Sequence, residues 1–112
     1  MTKVAPWQVW HADLNPVEGH EQGDSRPVLV VSSRFHLRLT ASALVTVLPL
    51  TTVERPGLLH RVAVPTRDGT SYAITEQVRT ISRRRLQGEP IARLQPGEIA
   101  GVREVFAQML DV

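Results

Sequence analysis

The sequence contains no cysteine and only one lysine, Lys3, among its thirteen basic residues. Without cysteine the chain forms no disulfides or thiolate metal sites, and it has no thiol nucleophile. Its longest apolar runs, residues 28–31 and 43–50, are far shorter than the roughly 20 residues that a membrane helix needs. The first ten residues have no apolar core, so they do not indicate a secretion signal. We therefore expect a cytoplasmic protein that does not enter a membrane.

Several common catalytic patterns are also missing. Four histidines are scattered along the chain without a two-histidine pair at metal-ligand spacing; they are His11, His20, His36 and His60. There is no Gly-x-Ser-x-Gly elbow, and Gly19, Gly23 and Gly57 do not form a phosphate-binding loop with its lysine. No metal site or serine nucleophile is predicted, which leaves metal-free chemistry on a phosphate as the reaction class to consider.

The 112 residues are 42% hydrophobic and 21% charged, a composition typical of an ordinary globular protein. We expect one compact domain over residues 1–112. A chain of this size buries one core and has little room for a second layer. An active site is therefore expected in a surface groove, completed by a second subunit.

The basic residues are unusual in kind, since twelve of the thirteen are arginine while the formal net charge is only +2. Four of them cluster in seven residues that contain no acid; they are Arg79, Arg83, Arg84 and Arg85. A local patch of this sort attracts polyanions even where the net charge is small. A GC-rich genome would explain the preference for arginine over lysine equally well. A run of solvent-exposed surface residues would explain the cluster of four arginines.

Alternating and apolar stretches separated by turn residues predict about six short strands. The expected strands are residues 8–14, 27–33, 44–50, 60–64, 71–81 and 91–94. Turns are predicted at Pro56-Gly57, at 67–70 and at 87–90, and a short turn or half-helix at 34–42. Ser82 is expected to cap a helical turn over 82–86, and an apolar stripe over 96–110 predicts a C-terminal helix that packs on the sheet. Together these elements indicate a small, strongly bent antiparallel sheet or SH3-like barrel.

The junction at Arg26 is the most informative feature of the chain. A polar loop, residues 15–26, ends there and an apolar strand follows at once, so a permanent charge stands at the mouth of a strand. Thr51 stands just where another predicted strand ends. If the two strands are adjacent and antiparallel, the guanidinium and the hydroxyl converge on one point. A salt bridge of Arg26 with Glu21 or Asp24, and a plain strand or turn role for Thr51, are the alternatives.

Three blocks of the sequence resemble the MazF/PemK family of toxin endoribonucleases. They are residues 9–33 (VWHADLNPVEGHEQGDSRPVLVVSS), 45–52 (VTVLPLTT) and 71–86 (SYAITEQVRTISRRRL), followed by the helix that ends in AQMLDV. The blocks occur in the family's order and at its spacing, and they span nearly the whole chain. The segments EQ-x-x-x-RPVLV and EQVRTI are the most specific.

The resemblance implies a mostly β, SH3-like barrel of the CcdB/PemK toxin type with a C-terminal helix, working as a homodimer. It implies an mRNA interferase that cleaves single-stranded RNA at specific sequences without a metal or other cofactor. The products are a 2′,3′-cyclic phosphate or 3′-phosphate and a 5′-hydroxyl. Growth inhibition is relieved by a cognate MazE-like antitoxin, whose flexible acidic segment blocks the RNA groove at the dimer interface.

Matched residue by residue, the resemblance assigns catalysis to Arg26, Thr51 and Glu21, with Thr52 as the alternative to Thr51. Glu76 and Gln77 match a pair that lies near the bound nucleotide. Bases are expected to be read by Gln22, Ser25 and Gln77, and the RNA backbone to be followed by Arg79, Arg83 and Arg84. Trp7 and Trp10 are better explained as core or interface residues than as stacking platforms.

The match departs from some relatives at two positions. An Arg-x-Asp pair is replaced here by Ile74-Thr75-Glu76, and a histidine before the loop arginine is replaced by Ser25. The sequence therefore does not identify the group that accepts the 2′-hydroxyl proton, for which Glu21 is the candidate. The alternative role of Glu21 is to pair with Arg26 and shape the loop. Two other functions also stay open: a non-cleaving, CcdB-like gyrase poison, and an inactive RNA- or antitoxin-binding module.

Overall fold

The computed structural model describes residues 3–16, 18–20, 24–58, 61–66 and 69–111. These residues form seven strands and two helices. In chain order they are β1 (Gln8–Asp13), β2 (Ser25–Val30), α1 (Arg34–Leu39), β3 (Leu44–Thr51), β4 (Arg61–Thr66), β5 (Gly69–Ile74), β6 (Arg79–Ser82), β7 (Leu86–Arg93) and α2 (Pro96–Met109). Single 3-10 turns occupy Thr75–Gln77 and Arg83–Arg85.

The strands form one strongly bent antiparallel sheet in the order β4-β5-β3-β2-β1-β7, with β6 also paired to β3. Strand β3 carries the bend. Its first half pairs with β6 from Leu44 to Val47, and its last two residues pair with β5. The predicted fold class, a mostly β, SH3-like barrel with a C-terminal helix, is confirmed, and its sheet forms a half-barrel.

The core has two parts because successive side chains of a strand point to opposite faces. Trp10 and Val28 lie in one buried cluster, whereas their neighbours Val9 and Leu29 lie in the other. This explains why β2 is apolar on both faces, as expected for a central strand. Val102 of α2 is buried in the second cluster, so the helix covers the face formed by β3, β4 and β5.

Helix α2 begins as the sequence predicts. Pro96 occupies its first turn, and the Glu98 carboxylate accepts the backbone N–H of Gln95 at 2.7 Å. Ile99 and Phe106 are partly buried beside the core, whereas Met109 at the end of the stripe is 40% exposed. Neither α2 nor any other helix in the described part of the chain is long and apolar enough to cross a membrane.

Both short helical elements predicted from the sequence are present. Within the region 34–42, residues Arg34–Leu39 form α1, and the Ser33 hydroxyl caps it by accepting the backbone N–H of His36 at 3.0 Å. The turn Arg83–Arg85 is capped by Ser82, whose hydroxyl accepts the backbone N–H of Arg84 at 3.2 Å. For the strand predicted at 60–64, β4 begins at Arg61, and His60 lies outside the described residues.

The prediction of one strand over residues 71–81 is wrong. Strand β5 ends at Ile74, a 3-10 turn follows, and β6 begins at Arg79. The chain breaks there because β5 pairs with the end of β3 whereas β6 pairs with its beginning. Residues of high strand propensity fill the whole segment, so only the pairing reveals the break.

The predicted turn at 87–90 and the short last strand at 91–94 are also wrong. Strand β7 runs from Leu86 to Arg93 along β1, and the register shifts between Val9 and His11. Gly88, with φ +67°, lies in this irregular stretch. A β-bulge therefore accommodates the glycine and Pro90 that suggested a chain reversal, and the described sheet has seven strands rather than about six.

Candidate active-site groove

Arg26 and Thr51 meet because β2 and β3 are neighbours in the sheet. The two strands are antiparallel, with Val28 opposite Pro49 and Leu29 opposite Leu48. Continuing this register places Arg26 opposite Thr51. Arg26 Nη1 donates to the Leu50 carbonyl at 3.4 Å, which ties the guanidinium to the end of β3. The strand arrangement on which their convergence depended is thus confirmed.

Both residues line a surface groove of about 470 Å³. Among its lining residues are three arginines and three hydroxyl side chains; they are Arg26, Arg55, Arg61, Ser25, Thr51 and Thr52. His11, Pro27, Leu50 and Val53 complete the described lining, which contains no carboxylate. A concave surface rich in hydrogen-bond donors and positive charge favours an anionic ligand.

The Thr51 hydroxyl is oriented by a local turn. Its Oγ1 accepts the backbone N–H of Val53 at 3.2 Å, and Thr51 is partly exposed while Thr52 is exposed. An accepting hydroxyl still carries its own hydrogen, so Thr51 has a donor available for a ligand in the groove. The cap role considered for Thr51 and a ligand-binding role are therefore compatible.

A hydrogen bond from β5 holds the segment that follows β3. Tyr72 lies opposite Thr51, and its hydroxyl donates to Glu54 Oε2 at 3.1 Å. Desolvation raises the pKa of Tyr72, and the hydrogen bond to the negative Glu54 raises that pKa further. The carbonyl of Arg55 accepts the backbone N–H of Leu58 at 2.9 Å, which closes the predicted turn at Pro56-Gly57.

The hydrogen bond between Tyr72 and Glu54 predicts a measurable change in the titration of Tyr72. Replacing Glu54 with Gln should lower the pKa of Tyr72 toward the ordinary value of about 10, because a neutral amide no longer disfavours the phenolate. Tyr72 is the only tyrosine in the chain, so tyrosinate absorbance followed against pH measures this group alone. An unchanged titration curve in the variant would contradict the contact, and Glu89→Gln, at an exposed site on β7, is the matched control.

Arg61 is a largely buried cation of the groove. Its side chain is 12% exposed, and its Nη2 lies 3.8 Å from Glu76 Oε1. Its Nε atom is buried and has no hydrogen-bond partner among the described residues. Glu76 belongs to the 3-10 turn after β5, so the pair links that turn to the groove wall.

The other predicted base-reading residues lie around the loop before β2. Gln77 Nε2 donates to the His20 carbonyl at 3.1 Å, and the Ser25 hydroxyl donates to Gln87 Oε1 at 3.1 Å. Glu21 and Gln22, which carry the predicted base and one predicted reader, lie outside the described residues. Of the predicted site residues that the structure describes, it brings Ser25, Arg26, Thr51 and Thr52 together in the groove.

The arginine cluster makes mainly internal contacts. Arg79 Nη1 donates to the Leu14 carbonyl at 3.3 Å, Arg85 donates to the carbonyls of Asp13 and Asn15, and Arg83 lies 4.9 Å above the Trp10 ring. Arg84 is exposed. None of the four belongs to the described lining of the Arg26 groove. Trp10 is fully buried, as its interpretation as a core residue predicts.

Three groove residues with basic side chains were not predicted as site residues from the sequence. Arg55 and Arg61 flank the turn at Pro56-Gly57, so two basic residues close to Thr51 and Thr52 were the available signal. His11 was considered only as a metal ligand, although it is exposed between the buried Trp10 and Ala12. No three His, Asp or Glu side chains cluster within the ranges that the structure describes.

Residues 5–110 match the family of "PemK-like, MazF-like toxin of type II toxin-antitoxin system". The chain is 34% identical over 82 residues to endoribonuclease EndoA of Bacillus subtilis, which covers 70% of each protein. It is 31% identical to endoribonuclease MazF9 of Mycobacterium tuberculosis, with 94% of each covered.

Solved structures share the same fold. The MazF crystal structure from Deinococcus radiodurans superimposes with a TM-score of 0.82 at 24% identity, covering 97% of each chain. A mycobacterial endoribonuclease in complex with its cognate antitoxin superimposes with a TM-score of 0.76 at 23% identity, covering 98% of this chain and 97% of that one.

Proposed function

The chain belongs to the family of PemK-like, MazF-like toxins of type II toxin–antitoxin systems, and we propose that it is an endoribonuclease that cleaves single-stranded RNA at a short sequence motif without a metal ion. The observation that carries the proposal is the convergence of Arg26 and Thr51 in one groove without a carboxylate in its described lining. The family relatives EndoA and MazF9 are named endoribonucleases, which supports the same activity here.

In the proposed reaction the 2′-hydroxyl of one ribose attacks the adjacent phosphorus. A bond forms between O2′ and phosphorus while the general base takes the 2′-hydroxyl proton. The bond from phosphorus to the 5′-oxygen breaks, and that oxygen takes a proton from solvent and leaves as a 5′-hydroxyl. The other product is a 2′,3′-cyclic phosphate, which water can open to a 3′-phosphate. DNA lacks the 2′-hydroxyl and is not a substrate.

Arg26 and Thr51 stabilise the charge that grows on the phosphoryl oxygens. The guanidinium is already held against β3 through Leu50, and the Thr51 hydroxyl is held by Val53. Donors fixed before the reaction stabilise developing charge without reorganising. A guanidinium does not act as a proton acceptor in proteins, so Arg26 is assigned charge stabilisation and the general base is another group.

Glu21 is the proposed general base that takes the 2′-hydroxyl proton. His11 lines the groove and is the alternative among the described residues. Loss of cleavage in Glu21→Gln, with normal cleavage in His11→Gln, would support Glu21 as the general base. The reverse pattern would assign the general base to His11. RNA binding measured in parallel separates loss of chemistry from loss of affinity.

Recognition of the bases is proposed for Gln22, Ser25, Thr52 and the pair Glu76 and Gln77. The bond from Gln77 to the His20 carbonyl and the bond from Ser25 to Gln87 support this, because they keep these side chains beside the loop that precedes Arg26. Arg79, Arg83 and Arg84 are proposed to follow the RNA backbone, and the exposure of Arg84 is consistent with that role.

We also propose a cytoplasmic homodimer that inhibits growth and is neutralised by a MazE-like antitoxin. The mycobacterial structure named above contains an endoribonuclease with its cognate antitoxin. Three arginines in a groove without a described carboxylate complement an acidic antitoxin segment in charge. Such a segment would occupy the groove that the RNA needs.

The decisive experiment uses a mixed-sequence RNA incubated with the purified protein in excess EDTA. We expect fragments with 5′-hydroxyl ends at one short motif. Intact RNA under these conditions, together with stalled DNA gyrase, would overturn the ribonuclease proposal in favour of a CcdB-like poison. Cleavage only after Mg²⁺ is restored would overturn the metal-independent mechanism.

A further inference from the structure

We propose that Arg55 and Arg61 form a second phosphate subsite in the groove, beside the subsite of Arg26 and Thr51. The ligand is a phosphodiester of the same RNA strand, other than the one that is cleaved. That ligand identity rests on the proposed function. The preference of the subsite for a phosphate rests on the groove itself.

Charge balance is the first argument. A phosphodiester carries one negative charge and can accept both bonds of an arginine fork. The groove presents three arginines, so one phosphodiester paired with Arg26 leaves Arg55 and Arg61 on the same groove. Glu76, which lies 3.8 Å from Arg61 Nη2, offsets only part of their combined charge. A neighbouring phosphate of the strand supplies the charge that these two residues favour.

The state of Arg61 is the second argument. Its guanidinium is largely buried, yet its Nε donor has no hydrogen-bond partner among the described residues. Glu76 lies 3.8 Å away from Nη2, beyond ordinary hydrogen-bond distance. Arg61 also lines the groove, so its Nη donors, which hold Glu76 only loosely, can donate to a phosphate oxygen there.

The position of Arg55 is the third argument. It is exposed and stands on the segment that Tyr72 holds through Glu54, next to the turn closed by Leu58. Neighbouring bonds thus hold its backbone beside the groove while its side chain reaches solvent. Such a residue can contact a ligand that Arg61 binds from the opposite, buried side.

The test compares Arg55→Gln and Arg61→Gln with Arg93→Gln. Arg93 is exposed on β7 outside this groove, so its substitution removes the same charge without touching the subsite. The probe is a fluorescein-labelled, mixed-sequence single-stranded DNA oligonucleotide, which lacks the 2′-hydroxyl that the proposed reaction needs. Binding is followed by fluorescence anisotropy as a function of salt concentration.

Each lost phosphate contact should reduce the slope of log affinity against log salt by about 0.7. We expect this reduction in Arg55→Gln and Arg61→Gln, with roughly tenfold weaker binding at low salt. Arg93→Gln should keep the wild-type slope. Arg61→Lys should keep most of the slope, because it retains the charge while losing the planar fork.

On RNA, the two subsite variants should raise KM and leave kcat nearly unchanged, since the contact is made equally in the ground and transition states. Arg55 is exposed, so the Arg55→Gln protein should fold normally. If it keeps the wild-type salt slope and KM, the proposal of a second phosphate subsite is overturned. If the wild-type protein cleaves no RNA but the salt slopes of Arg55→Gln and Arg61→Gln are still lower than the wild-type slope, the phosphate subsite is supported and the ribonuclease proposal fails. Thermal melting identifies any Arg61 variant that does not fold.

Discussion

Replacing Arg26 with Ala should lower the rate of RNA cleavage by about 10²–10³-fold, the usual effect of removing one transition-state donor. The loss should fall mainly on kcat, because the guanidinium donates most strongly to the additional negative charge that develops on the phosphoryl oxygens as the 2′-hydroxyl attacks. The fold should survive, since β2 is held by its pairing with β1 and β3 and by the buried residues 28–30. Single-turnover cleavage of an RNA that carries the mapped motif measures the effect.

Two further variants show whether the effect of Arg26→Ala is specific to the guanidinium of Arg26. Arg26→Lys keeps the positive charge but loses the planar fork, so a rate between wild type and Arg26→Ala is expected. Arg93→Ala removes an exposed arginine outside the groove and should cleave normally. Wild-type cleavage by a folded Arg26→Ala protein would remove Arg26 from the mechanism.

Replacing Trp10 with Ala should lower the free energy of unfolding by about 3–5 kcal/mol, the range measured for large aromatic residues in protein cores. Trp10 is fully buried in the cluster that joins β1, β2, β3 and β6. Its Nε1 donates to Gln8 Oε1 at 2.9 Å, and Arg83 lies over its ring. The substitution therefore leaves a cavity, removes one of the two hydrogen bonds that Gln8 Oε1 accepts, and takes the aromatic ring away from Arg83.

Urea unfolding followed by circular dichroism measures this loss without depending on tryptophan fluorescence. Trp7→Ala is the matched control, because Trp7 is only partly buried, with Arg103 at 5.5 Å from its ring. Its loss of stability should be clearly smaller than that of Trp10→Ala. Equal losses would contradict the assignment of Trp10 to the central core.

The family and the fold class could be predicted from the sequence because the signals for both are local. The loop and strand around Arg26, the strand ending at Thr51 and the EQVRTI segment lie in three short blocks, and the family match over residues 5–110 confirms the resemblance. The helical stripe from Ile99 to Phe106 and the cap at Ser82 follow from residue spacing within one or two turns.

The broken strand and the bulge could not be predicted because each depends on a distant partner. Residues 71–81 suit a strand throughout, and the chain breaks at the 3-10 turn only because β5 and β6 pair with opposite ends of β3. Gly88 and Pro90 signal a turn in isolation, and only the pairing of β7 with β1 converts them into a bulge.

The residues of the candidate site also differ in whether local sequence or distant pairing places them there. The positions of Arg26 and Thr51 at strand ends could be predicted from the sequence, because loop composition and apolar runs depend on neighbouring residues alone. That Arg55, Arg61 and His11 line the same groove follows only from the fold, as does the position of Arg79, Arg83 and Arg85 outside its described lining, in contact with other parts of the protein. The reason is physical: antiparallel register and the bend of β3 set which side chains share a surface, and both arise from pairing between residues far apart in the chain.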